Sequence, residues 1–269
     1  ISLTEDFNDD KIKECMEFLK GKFNEFSKRK EHLAGKRTIL ADMPDWNPAE
    51  IIGDRPNFLD YHLYDYIITD SAWHEARTSQ GYYNVNPAKL VILFGDKPYV
   101  DVRNSFNSFT PAAISKELRE KLVSFYLDKL ERNPELQDKI EFEIAYTCFD
   151  SNFDKKLKEL IATGFNSWEV SELKNSLINL TNNLVLNSKE DIGKDINSLK
   201  IMEKNREETK KSINWETDSI NSLLSKAKFL LDDCRENGTV QFSRLARLAF
   251  IGKIILKSLV KRGVIDDKF

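Results

Sequence analysis

Residues 90–111 read LVILFGDKPYVDVRNSFNSFTP, and this stretch decides the β-part of the fold. Residues 90–94 form a short apolar run, and residues 99–102 alternate apolar and polar side chains. Gly95-Asp96-Lys97-Pro98 lies between them. Two β-prone runs joined by a tetrapeptide with Gly and Pro are typical of a β-hairpin. We therefore expect a hairpin near residues 90–103.

The residues that follow the second predicted strand form the first candidate site. They are small polar side chains, one arginine and two aromatics: Arg103, Asn104, Ser105, Phe106, Asn107, Ser108 and Phe109. A loop of this kind at a strand end suits ligand binding, with Arg103 and Asn107 as the candidate contacts. The alternative is an ordinary turn, in which Asn and Ser bond their own backbone. Arg103 would then close a surface ion pair worth under about 1 kcal/mol.

Residues 42–53, DMPDWNPAEIIG, form a second unusual stretch. Asn47 is placed as a helix N-cap, with Pro48 at the first helical position and Glu50 at the third. Asp45, Trp46 and Asn47 should then lie on a loop at a helix N-terminus, which favours a phosphate or carboxylate. In the alternative interpretation, Asn47 and Glu50 only cap the helix and Trp46 only fills the core.

Two more strands are expected, near residues 36–41 and 139–149. The second segment, KIEFEIAYTCF, alternates apolar and polar residues, so Glu141 and Glu143 would share one face. Paired carboxylates can perform acid–base chemistry or bind a metal ion. On a strand face they are more often simply solvated.

Most of the remaining chain has helical periodicity. Helices are expected in the N-terminal half at 10–33, at 57–80 with a break near 69–71, and at 114–133. From residue 152 onward they are expected at 153–163, 168–186, 191–211, 215–237 and 240–262. The fold class is therefore α+β, predominantly helical with a small sheet. Residues 1–150 form an α+β part that carries both motifs, and residues 151–269 form a helical part.

The last predicted helix is strongly apolar, and its charged residues are all basic. Such a helix can lie on a membrane or bind calmodulin, contact nucleic acid, or pack in the core and direct arginines to a site. We favour the core helix, because the apolar stripe is wide and the rest of the chain is acidic. Arg244 and Arg247 near its start could then bind an anion, and Arg77 is a further candidate.

Composition excludes several classes of protein. The 269 residues suffice for one large or two modest domains, and 41% hydrophobic with 32% charged residues fits a soluble, helix-rich protein. A net charge of −3 gives no indication of nucleic-acid or membrane binding. No apolar run reaches the roughly 18 residues of a membrane helix.

Cysteine usage and the first residues indicate the compartment. Cys15, Cys148 and Cys234 are odd in number and far apart, which predicts reduced thiols and a cytoplasmic location. The start, ISLTEDFNDD, is acidic and lacks the basic and apolar regions of a signal peptide. Because the sequence begins with Ile, we expect a fragment or a processed product.

The sequence lacks the common motifs of nucleotide-binding, metal-dependent and nucleophilic enzymes. It contains no GxxxxGK[ST], GxGxxG or HExxH, and no Ser–His–Asp set stands out. His32, His62 and His74 are spaced neither as metal ligands nor beside a nucleophile. We therefore expect no catalytic residue, metal or cofactor in this chain, and no activity from the chain alone.

Four segments occur in an order that resembles a known family. They are ILADMPDWNPAEIIG, LVILFGDKPYVDVRNSFNSF, KIEFEIAYTCF and GTVQFSRLARLAFIGKIILKSLV. The set is similar to the middle region of bacterial enzymes related to phosphoenolpyruvate synthase and pyruvate phosphate dikinase. Within them it resembles the branch that includes L-glutamine kinase of capsule phosphoramidate synthesis. The similarity spans residues 36–264, and DWNPAEIIG and DVRNSFNSF are its most distinctive parts.

The resemblance implies a part of an ATP-dependent phosphotransferase. In that family an ATP-grasp-like domain and a phosphohistidine domain flank the middle region, so ATP and Mg²⁺ belong to the full-length enzyme. The implied partners of this chain are those two domains and a small carboxylate such as pyruvate or glutamine. Relatives tend to have small residues where this chain has Ser243-Arg244, which favours Arg247 over Arg244 as a site residue.

Two functional hypotheses follow. In the first, an acceptor or inter-domain site is formed by Asp45, Asn47, Arg103, Asn107 and Arg247, with arginine clamping a carboxylate or phosphate. In the second, the chain is a non-catalytic scaffold that docks two mobile domains. A scaffold should have Asn47, Arg103 and Asn107 fully satisfied inside the protein, with no open cleft.

Overall fold

The computed structural model describes residues 9–28 and 30–266. Residues 1–8, which belong to the acidic start without signal-peptide features, Arg29 within the first predicted helix and residues 267–269 lie outside the described residues. The helices are α1 (Asp9–Ser27), α2 (Pro48–Ile52), α3 (Phe58–Tyr64), α4 (Ala72–Ser79), α5 (Val102–Ser108), α6 (Lys116–Arg132), α7 (Phe153–Ala162), α8 (Ser167–Ser212), α9 (Ile220–Cys234) and α10 (Val240–Lys261). The strands are β1 (Leu40–Ala41), β2 (Val91–Phe94) and β3 (Lys97–Asp101).

The three strands form one antiparallel sheet in the order β1-β3-β2. β2 and β3 pair from Val91 opposite Val100 to Phe94 opposite Lys97, which confirms the predicted hairpin. Gly95 and Asp96 make its turn with φ of 59° and 61°, as a two-residue turn between twisted strands requires. The prediction of a predominantly helical α+β fold with a small sheet is therefore confirmed.

Residues 139–149 do not form the predicted strand. Ile140–Ile144 is instead a π-helical turn that follows a 3-10 turn at Pro134–Lys139. Ile140 and Ile144 are both buried, because apolar residues four apart share a face of a helical turn as readily as of a strand. The prediction was wrong because alternation over a few residues fits both patterns. Of the strand predicted at 36–41, only Leu40–Ala41 is formed.

The polar stretch after the hairpin is a buried helix, α5, where a loop was predicted. Asp101 is its N-cap and accepts a hydrogen bond from the backbone N–H of Asn104. Arg103 and Asn107 are each 0% exposed. The Arg103 guanidinium donates to the carbonyl of Phe26 at 3.0 Å, at the end of α1. The Asn107 amide accepts from Ala34 N–H at 2.8 Å and donates to Ala34 C=O at 2.9 Å.

One apolar core spans the boundary predicted at residue 150. Its members come from the segment before β1 and from α5, α6 and α7 to the start of α8, and include Ala34, Phe106, Leu122, Tyr126, Phe153, Leu160 and Leu177. A second cluster lies under the hairpin and includes Trp73, Leu90, Val91 and Val100. Although all described strands precede residue 150, the two parts of the chain share this packing.

Two interruptions that were predicted between helices after residue 150 are not formed: one between residues 186 and 191, and one between residues 237 and 240. Asn166 and Glu169 form a capping box at the start of α8, which then runs without interruption for 46 residues. α9 continues into α10 through a π-helical turn at Arg235–Thr239, so Gly238 does not end a helix. A Cβ on Gly238 would lie 2.7 Å from the Met202 sulfur, so glycine here permits close contact with α8.

We predict that Asn107→Ala lowers the free energy of unfolding by about 3 kcal/mol, because it removes the partners of buried backbone groups. Chemical denaturation measures this change in the free energy of unfolding. The control variant is Asn197→Ala, which removes an exposed amide on α8 and should change stability by under about 0.5 kcal/mol. A loss below about 1 kcal/mol for Asn107→Ala would show that the tie between α5 and Ala34 is unimportant.

Candidate functional site

The candidate site is a pocket of about 200 Å³ between the loop before α2, α4, the π-helical turn Ile140–Ile144 and α10. Two arginines and two carboxylates supply its charge, and three aromatic side chains are among its other lining residues. Its lining residues are Asp45, Trp46, Arg77, Glu141, Phe242, Ser243, Ala246, Arg247 and Phe250.

Asp45 and Arg77 form the first ion pair of the site. Arg77 Nη1 donates to Asp45 Oδ2 at 2.9 Å, and both side chains are almost fully buried. Two serines of α5 complete the pair: Ser105 donates to Asp45 Oδ2 at 2.6 Å, and Ser108 accepts from Arg77 Nη1 at 2.7 Å. Burial raises the pKa of the Asp45 carboxyl, but Arg77, the hydrogen bond from Ser105 and the charge of Arg247 together outweigh burial, so this pKa lies below its ordinary value.

Glu141 and Arg247 form the second ion pair. Arg247 Nη2 donates to Glu141 Oε1 at 2.8 Å, and the same oxygen lies 3.9 Å from Arg77 Nη2. Burial disfavours the charged form of Arg247, yet Glu141, Tyr82 and Asp45 together more than offset it, and the pKa of the guanidinium lies above its ordinary value. Glu141 therefore links both arginines, whereas Glu143 is exposed and takes no part.

Both guanidinium groups also lie over the ring of Phe109. The distance from the ring centroid to the guanidinium carbon is 4.2 Å for Arg77 and 4.6 Å for Arg247. Cation–π contacts of this kind stabilise a desolvated cation without using its N–H donors. The arginines can therefore stay charged in an apolar setting although some of their donors make no hydrogen bond.

Three donors of the two arginines lack a partner. Arg247 Nε, Arg247 Nη1 and Arg77 Nε are buried without a hydrogen bond in the described part of the protein. Buried polar groups are nearly always paired, because leaving one unpaired costs about 1–3 kcal/mol. Unpaired guanidinium donors on residues that line a pocket are suited to the oxygens of a carboxylate or phosphate, to which they donate charge-assisted hydrogen bonds.

The structure brings together some of the residues predicted from sequence. Asp45 and Arg247 line the pocket, and Asn47 lies on an adjoining cavity beside Asp45. Asn47 is the predicted N-cap of α2, and its side chain accepts from Glu50 N–H at 3.2 Å. Arg103 and Asn107 line neither cavity, and their bonds to backbone carbonyls give them a structural role. The candidate site is therefore built without these two residues.

The other two arginines that were predicted as anion ligands, Arg77 and Arg244, lie in different surroundings in the structure. Arg77 belongs to the site, and its partner Asp45 lies 32 positions earlier in the chain. Arg244 instead pairs with the buried Asp195 of α8. Glu141 was expected on a strand face, and its contact with Arg247 joins residues 106 positions apart. No local pattern in the sequence signals that pairing.

No family model, curated protein or solved structure matches this chain. Within residues 9–28 and 30–266, no three His, Cys, Asp or Glu side chains are placed to hold a metal ion together. None of the helices in the same residues is long and apolar enough to cross a bilayer. The interpretation of the site therefore rests on its own geometry.

We predict an acid-sensitive step in stability from His74, which precedes Arg77 on α4. His74 is buried, and neither ring nitrogen has a hydrogen-bond partner among residues 9–28 and 30–266. Burial lowers its pKa in the folded state, so the unfolded chain takes up the proton first, near pH 6.5. Stability should therefore fall as the pH drops below about 6.5.

Thermal unfolding between pH 7.5 and pH 5.0 measures this effect. His74→Leu should reduce the fall in melting temperature, whereas His62→Leu at an exposed position should leave it unchanged. An equal fall in wild type and His74→Leu would contradict the assignment.

Proposed function

We propose that this chain is the central part of a phosphoenolpyruvate-synthase-like, ATP-dependent phosphotransferase and that its pocket holds a small carboxylate acceptor. The observation that carries the proposal is the pair of buried arginines, Arg77 and Arg247, which line the pocket and retain N–H donors without a hydrogen bond in the described part of the protein. The resemblance assigns ATP and Mg²⁺ to flanking domains, which supply the phosphoryl group.

The residues of this chain bind and orient the acceptor. Arg247 has two unpaired donors, Nε and Nη1, on either side of the Nη2 that bonds Glu141, and each can donate one charge-assisted hydrogen bond to an anionic oxygen. Asp45 and Glu141 fix the positions of the two guanidinium groups through their ion pairs. Because both pairs are formed without the ligand, little side-chain entropy is lost on binding.

The apolar walls strengthen the charged contacts. Trp46, Phe242 and Phe250 line the pocket together with the two arginines. An ionic hydrogen bond is stronger in such a low-dielectric setting than in water. A volume of about 200 Å³ is below the usual range for drug-sized ligands, so it fits a compact acid of a few heavy atoms.

We test binding by calorimetry and thermal shift with pyruvate, phosphoenolpyruvate, L-glutamine and phosphate. A ligand at 100 times its Kd should stabilise the fold by about 2.7 kcal/mol. Arg247→Lys keeps the charge but loses the planar fork, so we predict at least a tenfold loss of affinity, about 1.4 kcal/mol. Arg206→Lys on the exposed face of α8 is the matched control and should bind as wild type.

A scaffold without a ligand is the second candidate function. Arg103 and Asn107, from the most distinctive motif, are fully enclosed and serve only internal contacts. Exposed apolar side chains on α1, such as Met16 and Phe18, would then contact the mobile domains. No stabilisation by any of the four ligands would contradict the acceptor site and favour the scaffold.

A further inference from the structure

The C-terminal half of α10 borders a groove that is separate from the arginine pocket. The groove has a volume of about 680 Å³ and shares no lining residue with that pocket. Its lining residues on α10 run from Ala249 to Lys261 and recur every three or four positions, so they occupy one face of the helix. The function proposed above makes no use of this face.

Three lysines form a row along the groove. Lys253, Lys257 and Lys261 are four residues apart, which places them about 6 Å apart along the helix axis. None of them forms an ion pair with another residue among 9–28 and 30–266, whereas both arginines of α10 are paired with carboxylates. The lysines also outnumber the two carboxylates of the lining, Glu143 and Asp266. In a chain of net charge −3, the groove therefore carries a local positive row.

An apolar row lies beside the lysines on the same face of α10. It consists of Ala249, Gly252, Leu256 and Val260, which are three or four residues apart. Leu256 is 43% exposed, although it is a large apolar side chain. A row of charges next to an apolar row is typical of a helix surface that packs against a second amphipathic helix.

Gly252 leaves the helix backbone accessible on this face. Glycine is less favourable than alanine in a helix interior, so a helical glycine calls for a local reason. At Gly238 the reason is internal packing, because a Cβ there would lie 2.7 Å from the Met202 sulfur. At Gly252 a Cβ would have no atom within 4 Å, so packing inside the described structure does not require glycine. The open space at Gly252 is suited to the close approach of a partner's backbone.

These features fit an α-helix better than a membrane surface or a nucleic acid. The apolar row is about 17 Å long, and carboxylates four residues apart on a second helix would repeat every 6 Å or so, as the lysines do. A helix that lies on a membrane needs bulky apolar side chains, which Ala249 and Gly252 do not supply. The phosphates of a nucleic acid would be repelled by Glu143 and Asp266, whereas a helix can place its carboxylates opposite the lysines alone.

We propose that this groove of α10 docks an acidic amphipathic helix of a partner. The carboxylates of that helix contact Lys253, Lys257 and Lys261, and its apolar face packs over Gly252 and Leu256. The docking groove is independent of the arginine pocket, so it stands or falls separately from the proposed function.

The test is fluorescence anisotropy with a synthetic peptide helix of about 21 residues that carries fluorescein. The acidic probe has leucines at every third or fourth position and, beside them, three glutamates four residues apart. The basic probe has lysine in place of each of these glutamates. Wild-type protein should bind the acidic probe roughly tenfold more tightly than the basic probe, because only the acidic probe complements the lysine row.

Gly252→Leu tests the place of contact. The leucine side chain occupies the space above the backbone and should weaken binding of the acidic probe roughly tenfold. Leucine favours helices more than glycine does, so this variant should fold. Gly193→Leu is the matched control and should bind as wild type, because Gly193 on α8 also has open space around it and does not line the groove.

Lys257→Glu tests the charge of the row. It replaces an attraction to the acidic probe with a repulsion, so binding should again weaken roughly tenfold. Lys200→Glu makes the same change at an exposed position of α8 and should leave binding as in wild type.

The outcomes decide between docking of a helix and its alternatives. Preference for the acidic probe that Gly252→Leu and Lys257→Glu both reduce supports the groove. Equal binding of the two probes, binding of neither, or binding that Gly252→Leu leaves unchanged contradicts it. Wild-type protein that binds phosphatidylserine vesicles or a DNA duplex but not the acidic probe would also overturn the proposal.

Discussion

Burial of charge is the constraint on which the rest of the structure depends. Moving one ion out of water costs several kcal/mol, and only close pairing and further hydrogen bonds offset that cost. Asp45, Arg77, Glu141 and Arg247 meet this condition jointly, with Ser105 and Ser108 supplying the neutral contacts. Because these residues come from five separate segments, the positions of the loop, the π-helical turn and three helices are fixed together.

Helix α5 shows how one motif serves both structure and site. Ser105, Ser108 and Phe109 contact the charge cluster, whereas Arg103 and Asn107 bond to the chain before β1. Residues three or four apart share one face of a helix, so the two sets lie on different faces. The polar composition of this motif therefore reflects two buried surfaces rather than an exposed loop.

Local elements could be predicted from the sequence where local chemistry decides them. The hairpin follows from β-prone runs around Gly95-Asp96, and the start of α2 follows from Asn47 and Pro48. Helix α5 was missed although Asp101 is an N-cap and Val102, Phe106 and Phe109 have helical spacing. The π-helical turn at Ile140–Ile144 was mistaken for a strand, and pairings such as Glu141 with Arg247 depend on tertiary contacts that no local pattern encodes.

The most direct measurement of the central claim is NMR of the arginine Nε–H groups during titration with the carboxylate that gives the largest thermal shift. We expect the resonances of Arg77 and Arg247 to shift together and to saturate with the Kd from calorimetry, while that of Arg103 stays in place. Binding that shifts Arg103, or shifts neither Arg77 nor Arg247, would contradict the claim that the unpaired donors of the buried cluster hold the acceptor.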